Sequence, residues 1–110
     1  MIVVVRQSEP PHKWRAEGKI FAVQEISINS GGRISFRIED PTDNTPALVE
    51  HDRFTVTDGS IPDSWGVNEY TAGGYTVGPT AWHETGFWER WMDHDPDARS
   101  TYQEFRSELE

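Results

Sequence analysis

The apolar residues of this chain change their period once, near Gly78-Pro79, and that change limits what it can fold into. Before it, short β-branched and aromatic runs alternate with polar residues and are cut by Gly, Pro, Asn and Asp. After it, apolar residues return at helical spacing. Strands first and helices last is the order of an α+β domain. The expectation is therefore a small, bent antiparallel β-sheet or SH3-like barrel followed by two C-terminal α-helices. At 110 residues the chain holds one core, so 1–78 is expected as the β part of a single domain, with 79–110 as the helical part packed on it.

Ile2 to Val5 reads as a buried strand, and Gln7 to Gly18, with Pro10-Pro11, as a loop. The next strand is predicted from Ile20 to Ile28, with Ile20, Ala22, Ile26 and Ile28 on one face and Phe21 and Val23 on the other. Asn29-Ser30-Gly31-Gly32 supplies residues that tolerate positive φ, and Ile34, Phe36 and Ile38 then alternate with polar partners, which together predict a hairpin. Ala47 to Glu50 and Arg53 to Val56 follow as short extended pieces around His51-Asp52. Trp65 to Tyr70 and Tyr75 to Val77 form a last pair joined through Thr71-Ala72-Gly73-Gly74.

A helix is predicted over Glu84 to Asp93 with Phe87, Trp88, Trp91 and Met92 on a broad aromatic face, and Trp82 stapling its entry. A second is predicted over Pro96 to Leu109, where Ala98, Tyr102, Phe105 and Leu109 share a stripe within roughly 60° of arc. Asp95 is placed to cap it, Pro96 suits its first position, and Asp97 complements the positive end of its dipole.

Charge bounds the partners. Met1 to Ile38 carries six basic residues against three acids, a balance of +3; Glu39 to Glu110 carries four Arg against sixteen Asp and Glu, a balance of −12, and the two make the net −9. Such a field repels nucleic-acid phosphate and anionic membrane and attracts basic protein surfaces. No cysteine is present, so no disulfide or thiolate metal site forms. The apolar start, Met1 to Val5, is too short for a signal peptide or a span, and a soluble, cytoplasmic protein is expected.

Glu50-His51-Asp52 sets an imidazole between two carboxylates, the makings of an acid/base pair, but in an extended segment neighbours point to opposite faces and cannot converge without a turn. Asp93-His94-Asp95 with Asp97 offers metal-ligand types, yet Asp95 already has a capping task and His94 suits a helix C-terminus. His12 and His83 stand alone. Gly31-Gly32 and Gly73-Gly74 lack the spacing of phosphate loops. No catalytic residue, metal site or cofactor is assigned. Trp88 and Trp91 are expected against the sheet, while Trp14 and Trp65 are less evidently core. Trp65, with Asp58, Asp63 and Glu69 nearby in sequence, is the candidate partner-binding anchor, since interfaces are rich in Trp.

Pro46-Ala47-Leu48 followed by Phe54, Ile61-Pro62 with Trp65, Gly78-Pro79 with Trp82, Gly86-Phe87-Trp88-Glu89 and Asp93-His94-Asp95-Pro96 occur in an order that resembles small acidic bacterial proteins of unknown function, some of which look like immunity proteins guarding against toxins. Ile34 to Val56 also resembles the middle of small SH3-like barrels, although His51-Asp52 is charged where such barrels continue apolar. The resemblance and the charge together imply a non-enzymatic binder of a basic protein, such as an immunity protein that blocks a nuclease toxin. The alternatives are an acidic accessory domain without such a partner and a small enzyme using Glu50, His51 or Asp52.

Overall fold

A computed structural model describes residues 1–6, 15–70 and 73–107. The loop expected at Pro10-Pro11, with His12 and Trp14, the connecting Thr71-Ala72 and the stripe residue Leu109 lie outside the described residues. The strands form two antiparallel sheets. In the smaller, β1 (Ile2–Val5) lies between β2 (Ile20–Ala22) and β6 (Phe54–Asp58). The larger runs β5 (Pro46–Glu50), β4 (Ile34–Glu39), β3 (Glu25–Asn29), β8 (Gly74–Pro79) and β7 (Trp65–Glu69). A 3-10 turn at His51–Arg53 carries the chain from one sheet to the other, and a second at Thr80–His83 leads into α1 (Phe87–Met92) and α2 (Pro96–Ser107). The fold is α+β. The barrel form of the expectation is not realised, because no strand of one sheet is hydrogen-bonded to a strand of the other among the described residues.

The sheets face each other across a core of Val3, Val5, Phe21, Val23, Phe36, Ile38, Val49 and Phe54. The strand expected unbroken from Ile20 to Ile28 is split between them. Gln24 donates its N–H to the Arg37 carbonyl at 2.8 Å while Glu25 stands opposite the same residue, so two residues face one, as in a β-bulge. The extra residue reverses the alternation. Phe21 and Val23 therefore share the core with Ile26 instead of opposing it, and Ile20 is left exposed. Where alternation is undisturbed the expectation holds: Ile28 pairs Ile34 and Ile26 pairs Phe36. The turn between them is closed by Asn29 Oδ1, which accepts from the N–H of Gly31 and Arg33 at 2.9 and 3.0 Å, with Gly32 at φ +82°.

The other face of the large sheet carries the helices. Gly66 and Gly78 pair across β7 and β8 on that face and let the chain come close: a Cβ on Gly66 would lie 2.6 Å from Thr80 Cγ2. Trp82 is the hub of the helical core, with ring centroids 5.3 Å from Tyr102, 5.5 Å from Trp88 and 6.4 Å from Phe87. Trp91 packs within this cluster and not on the sheet, and Met92, expected on the aromatic face, is 66% exposed. Helix α1 begins three residues later than expected because Gly86, at φ +80°, breaks the helical run.

Asp95 caps α2: its Oδ1 accepts from the N–H of Asp97 at 2.8 Å and of Ala98 at 3.4 Å. Asp95→Ala is expected to destabilise the protein by about 1 kcal/mol and Asp95→Asn by much less, because Asn also caps. Equal losses for the two in urea denaturation would contradict that role.

Candidate functional site

The register of the large sheet places Val49, Phe36, Ile26, Val77 and Val67 in one cross-strand row on the face turned to the small sheet. Burial falls along it. Val49 is 7% exposed and Phe36 6%, Ile26 and Val77 are half-buried, and Val67 at the far edge is 69% exposed. The next row ends in the same way, with half-buried Ile34 and Ile28 leading to exposed Tyr75 and Glu69. The small sheet thus covers β5 and β4 and leaves the far end of β8 and β7, at Tyr75, Val67 and Glu69, open to water.

Of the candidate partner residues, Trp65 and Glu69 lie on the strand that borders this open face. Trp65, Val67 and Glu69 alternate along β7 and so share it. Trp65 itself is half-buried, leaning on the inter-sheet core with Met1, Ile26 and Ile34, so the exposed apolar surface comes mostly from Val67 and Tyr75. Neither was legible as a site residue, because an isolated Val or Tyr in an alternating strand reads as core. Asp63 is exposed in the connection that leads into β7. Asp58 ends β6, and the hydrogen bonds from Ser60 Oγ and N–H, at 2.6 and 2.9 Å, hold its carboxyl below the usual range. Between Arg53 and Arg90 the chain has no Lys or Arg and five acids, of which Asp63 and Glu69 lead into or lie on β7 and Glu84 and Glu89 belong to the helical side.

A second cluster, which sequence reasoning missed, lies between the large sheet and the helices. Glu25 is 1% exposed, opposite Gly78, where a Cβ would stand 2.9 Å from its Cγ. Arg37 Nε donates to Glu25 Oε1 at 3.3 Å, and its guanidinium stacks 3.9 Å from the Trp88 ring. His83 Nε2 sits 3.9 Å from Glu25 Oε2, too far for a hydrogen bond, and neither atom has such a partner among the described residues. Burial pushes Glu25 up, with Arg37 pulling the other way, and burial pushes His83 down. Beside this trio, Gln24 Nε2 donates to Tyr102 Oη at 2.8 Å, and Tyr102 donates to Glu39 Oε1 at 3.1 Å. Arg106 Nε donates to Glu39 Oε1 and Oε2 at 2.8 and 2.7 Å, and burial is the main cause of the raised Tyr102 pKa. These groups dock the helices. The facing atoms Glu25 Oε2 and His83 Nε2 are closed off from water, while the His83 residue lines a groove with Tyr70, Trp88 and Glu89.

No protein-family model, curated protein or solved structure matches the chain.

The remaining candidates are less developed. Glu50, His51 and Asp52 are all exposed; the 3-10 turn supplies a bend, but Glu50 bonds to Arg33 at 2.9 Å, and no hydrogen bond joins His51 to either carboxylate among the described residues. His94, at φ +63°, ends the first helical segment with its Nδ1 2.9 Å from Arg99 Nη2, and the Asp95 carboxylate is committed to its cap. Among the described residues, no group of three or more His, Asp or Glu is placed to hold a metal ion. No helix among the described residues is long and apolar enough to cross a membrane.

Proposed function

We propose that this protein is a non-enzymatic binding domain that occupies a basic protein, of the kind an immunity protein blocks, through the open face of β7 and β8. The observation that carries the reading is the apolar row Val49, Phe36, Ile26, Val77 and Val67, which leaves the core and emerges into water in the segment that has no Lys or Arg. An apolar centre with an acidic surround suits a cationic partner: the charges steer the encounter, and the desolvated side chains slow dissociation. A toxin of the nuclease type fits because its active site must be positive to hold phosphate.

For a basic partner encoded beside it, Tyr75→Ala is expected to speed dissociation by about tenfold, near 1.4 kcal/mol, with a smaller effect on association. The check is surface-immobilised binding kinetics of folded wild type and variant. An unchanged dissociation rate would remove Tyr75, and with it the open face, from the interface.

A further inference from the structure

The outer side of β7 carries hydrogen-bonding groups as well as apolar ones. Tyr70 N–H donates to the Gly74 carbonyl at 3.0 Å, which sets the parity of the β7–β8 ladder: Gly66, Asn68 and Tyr70 exchange bonds with β8. Trp65, Val67 and Glu69 therefore turn their backbone N–H and C=O outward. The Trp65 N–H is taken by the Pro62 carbonyl at 3.0 Å, whereas no hydrogen bond reaches the N–H of Val67 or Glu69 among the described residues. The other edges are blunted. β2 has only three residues, β5 opens with Pro46, which has no N–H, and β6, although it too lacks proline and lysine, carries the Arg6 guanidinium on Thr55 Oγ1 at 3.0 Å, a cation that a basic segment avoids. β7 has no proline and no lysine; its single charge, Glu69, is negative.

We infer that the edge of β7 takes an extended segment of the partner, with alternating basic and apolar side chains, as a sixth strand of the large sheet. This inference rests on the basic-partner reading above and names how that partner binds. Main-chain bonds to Val67 and Glu69 supply the pairing. Apolar side chains of the added strand continue the row beyond Val67, and its basic side chains, which alternate to the other face beside Asn68 and Tyr70, meet Glu89 in the groove there.

The test uses the intact protein and a capped heptapeptide of alternating Lys and Val, followed by amide hydrogen exchange and by titration. Saturating peptide is expected to slow exchange at the Val67 and Glu69 amides by about tenfold or more. Val67→Pro, which removes an outward N–H and is tolerated on an open edge, is expected to weaken peptide binding by about tenfold while keeping the melting temperature. A peptide of the same sequence with N-methylated backbone amides keeps its charge and is expected not to bind; it decides the matter on wild type should the Pro variant fail to fold. Equal binding of methylated and unmethylated peptides, or unchanged exchange at both amides, overturns the sixth strand. A basic protein bound equally by wild type and folded Val67→Pro overturns it too and narrows the open-face contact to Tyr75. No binding of the peptide to wild type overturns it, and only the absence of any basic protein partner removes the face reading as well. Sedimentation showing that the free protein pairs through β7 with a second copy gives the edge to that copy and overturns the assignment.

Discussion

Trp82→Ala is expected to cost about 3–5 kcal/mol, the range for truncating a large buried aromatic ring. Trp82, in the 3-10 turn, is 2% exposed and touches rings from α1 and α2, so its removal opens a cavity that no one neighbour can fill. A small domain has only about 5–15 kcal/mol of stability to lose, and the helical layer should detach from the sheet well before the sheets separate. Met92→Ala, on the same helix but exposed, should stay within about 0.5 kcal/mol of wild type. Half-buried Phe105 should cost less than Trp82. Chemical denaturation followed by tryptophan fluorescence reads all three, and a Trp82 variant that unfolds with wild type would show that the aromatic cluster is not the helices' anchor.

Arg37→Ala is expected to cost a similar 3–5 kcal/mol, because it leaves the buried Glu25 carboxylate without its cation. It also strips the guanidinium from Trp88. Adding Glu25→Gln should recover part of the loss, since an amide costs less to bury than an unpaired charge. Simple additivity of the two substitutions would contradict a coupled pair. The same cluster carries a pH dependence. His83 is lowered, so the folded protein binds that proton less readily than the unfolded chain; its contribution is complete above the ordinary imidazole value and is lost as pH falls through it towards the folded value. Glu25 is raised and runs the other way: its contribution is present below the ordinary carboxyl value and is lost as pH rises through it to the folded value. Between about pH 7.5 and pH 5.5, wild type should therefore lose more stability than His83→Gln in urea denaturation. Equal losses would place His83 outside the linkage.

The hairpin of β3 and β4 was legible because its two signals agree, strict alternation and an Asn-Ser-Gly-Gly turn. The register before it was not, since one bulged residue at Gln24 reverses every face upstream and leaves no mark in composition. The α2 cap was legible because Asp95-Pro96-Asp97 is a local signal. Glu25 was hidden for the opposite reason: a polar residue in an alternating strand reads as a solvent face, and only the helices packed there bury it. His83 reads as solitary because its partner is 58 positions away, brought near by the pairing of β3 with β8. Of the candidate binding residues, charge pointed to the segment that carries the open face, but Trp65 leans on the core, and the exposed apolar surface at Val67 and Tyr75 depends on how far the small sheet reaches.

The binding account is tested most directly by the association rate with a basic partner at two ionic strengths, for wild type and for the triple reversal Asp58→Lys, Asp63→Lys and Glu69→Lys. All three side chains are exposed, so the reversal is expected to leave the fold intact. Raising the salt from about 0.01 M to about 0.15 M shortens the screening length from about 30 Å to about 8 Å, which should slow wild-type association by about tenfold or more. The reversed protein should associate slowly at both salts, with a nearly flat dependence. Equal rates for the two proteins at low salt, or a wild-type rate indifferent to salt, would contradict the claim that the acidic surround of this face brings a cationic partner to it.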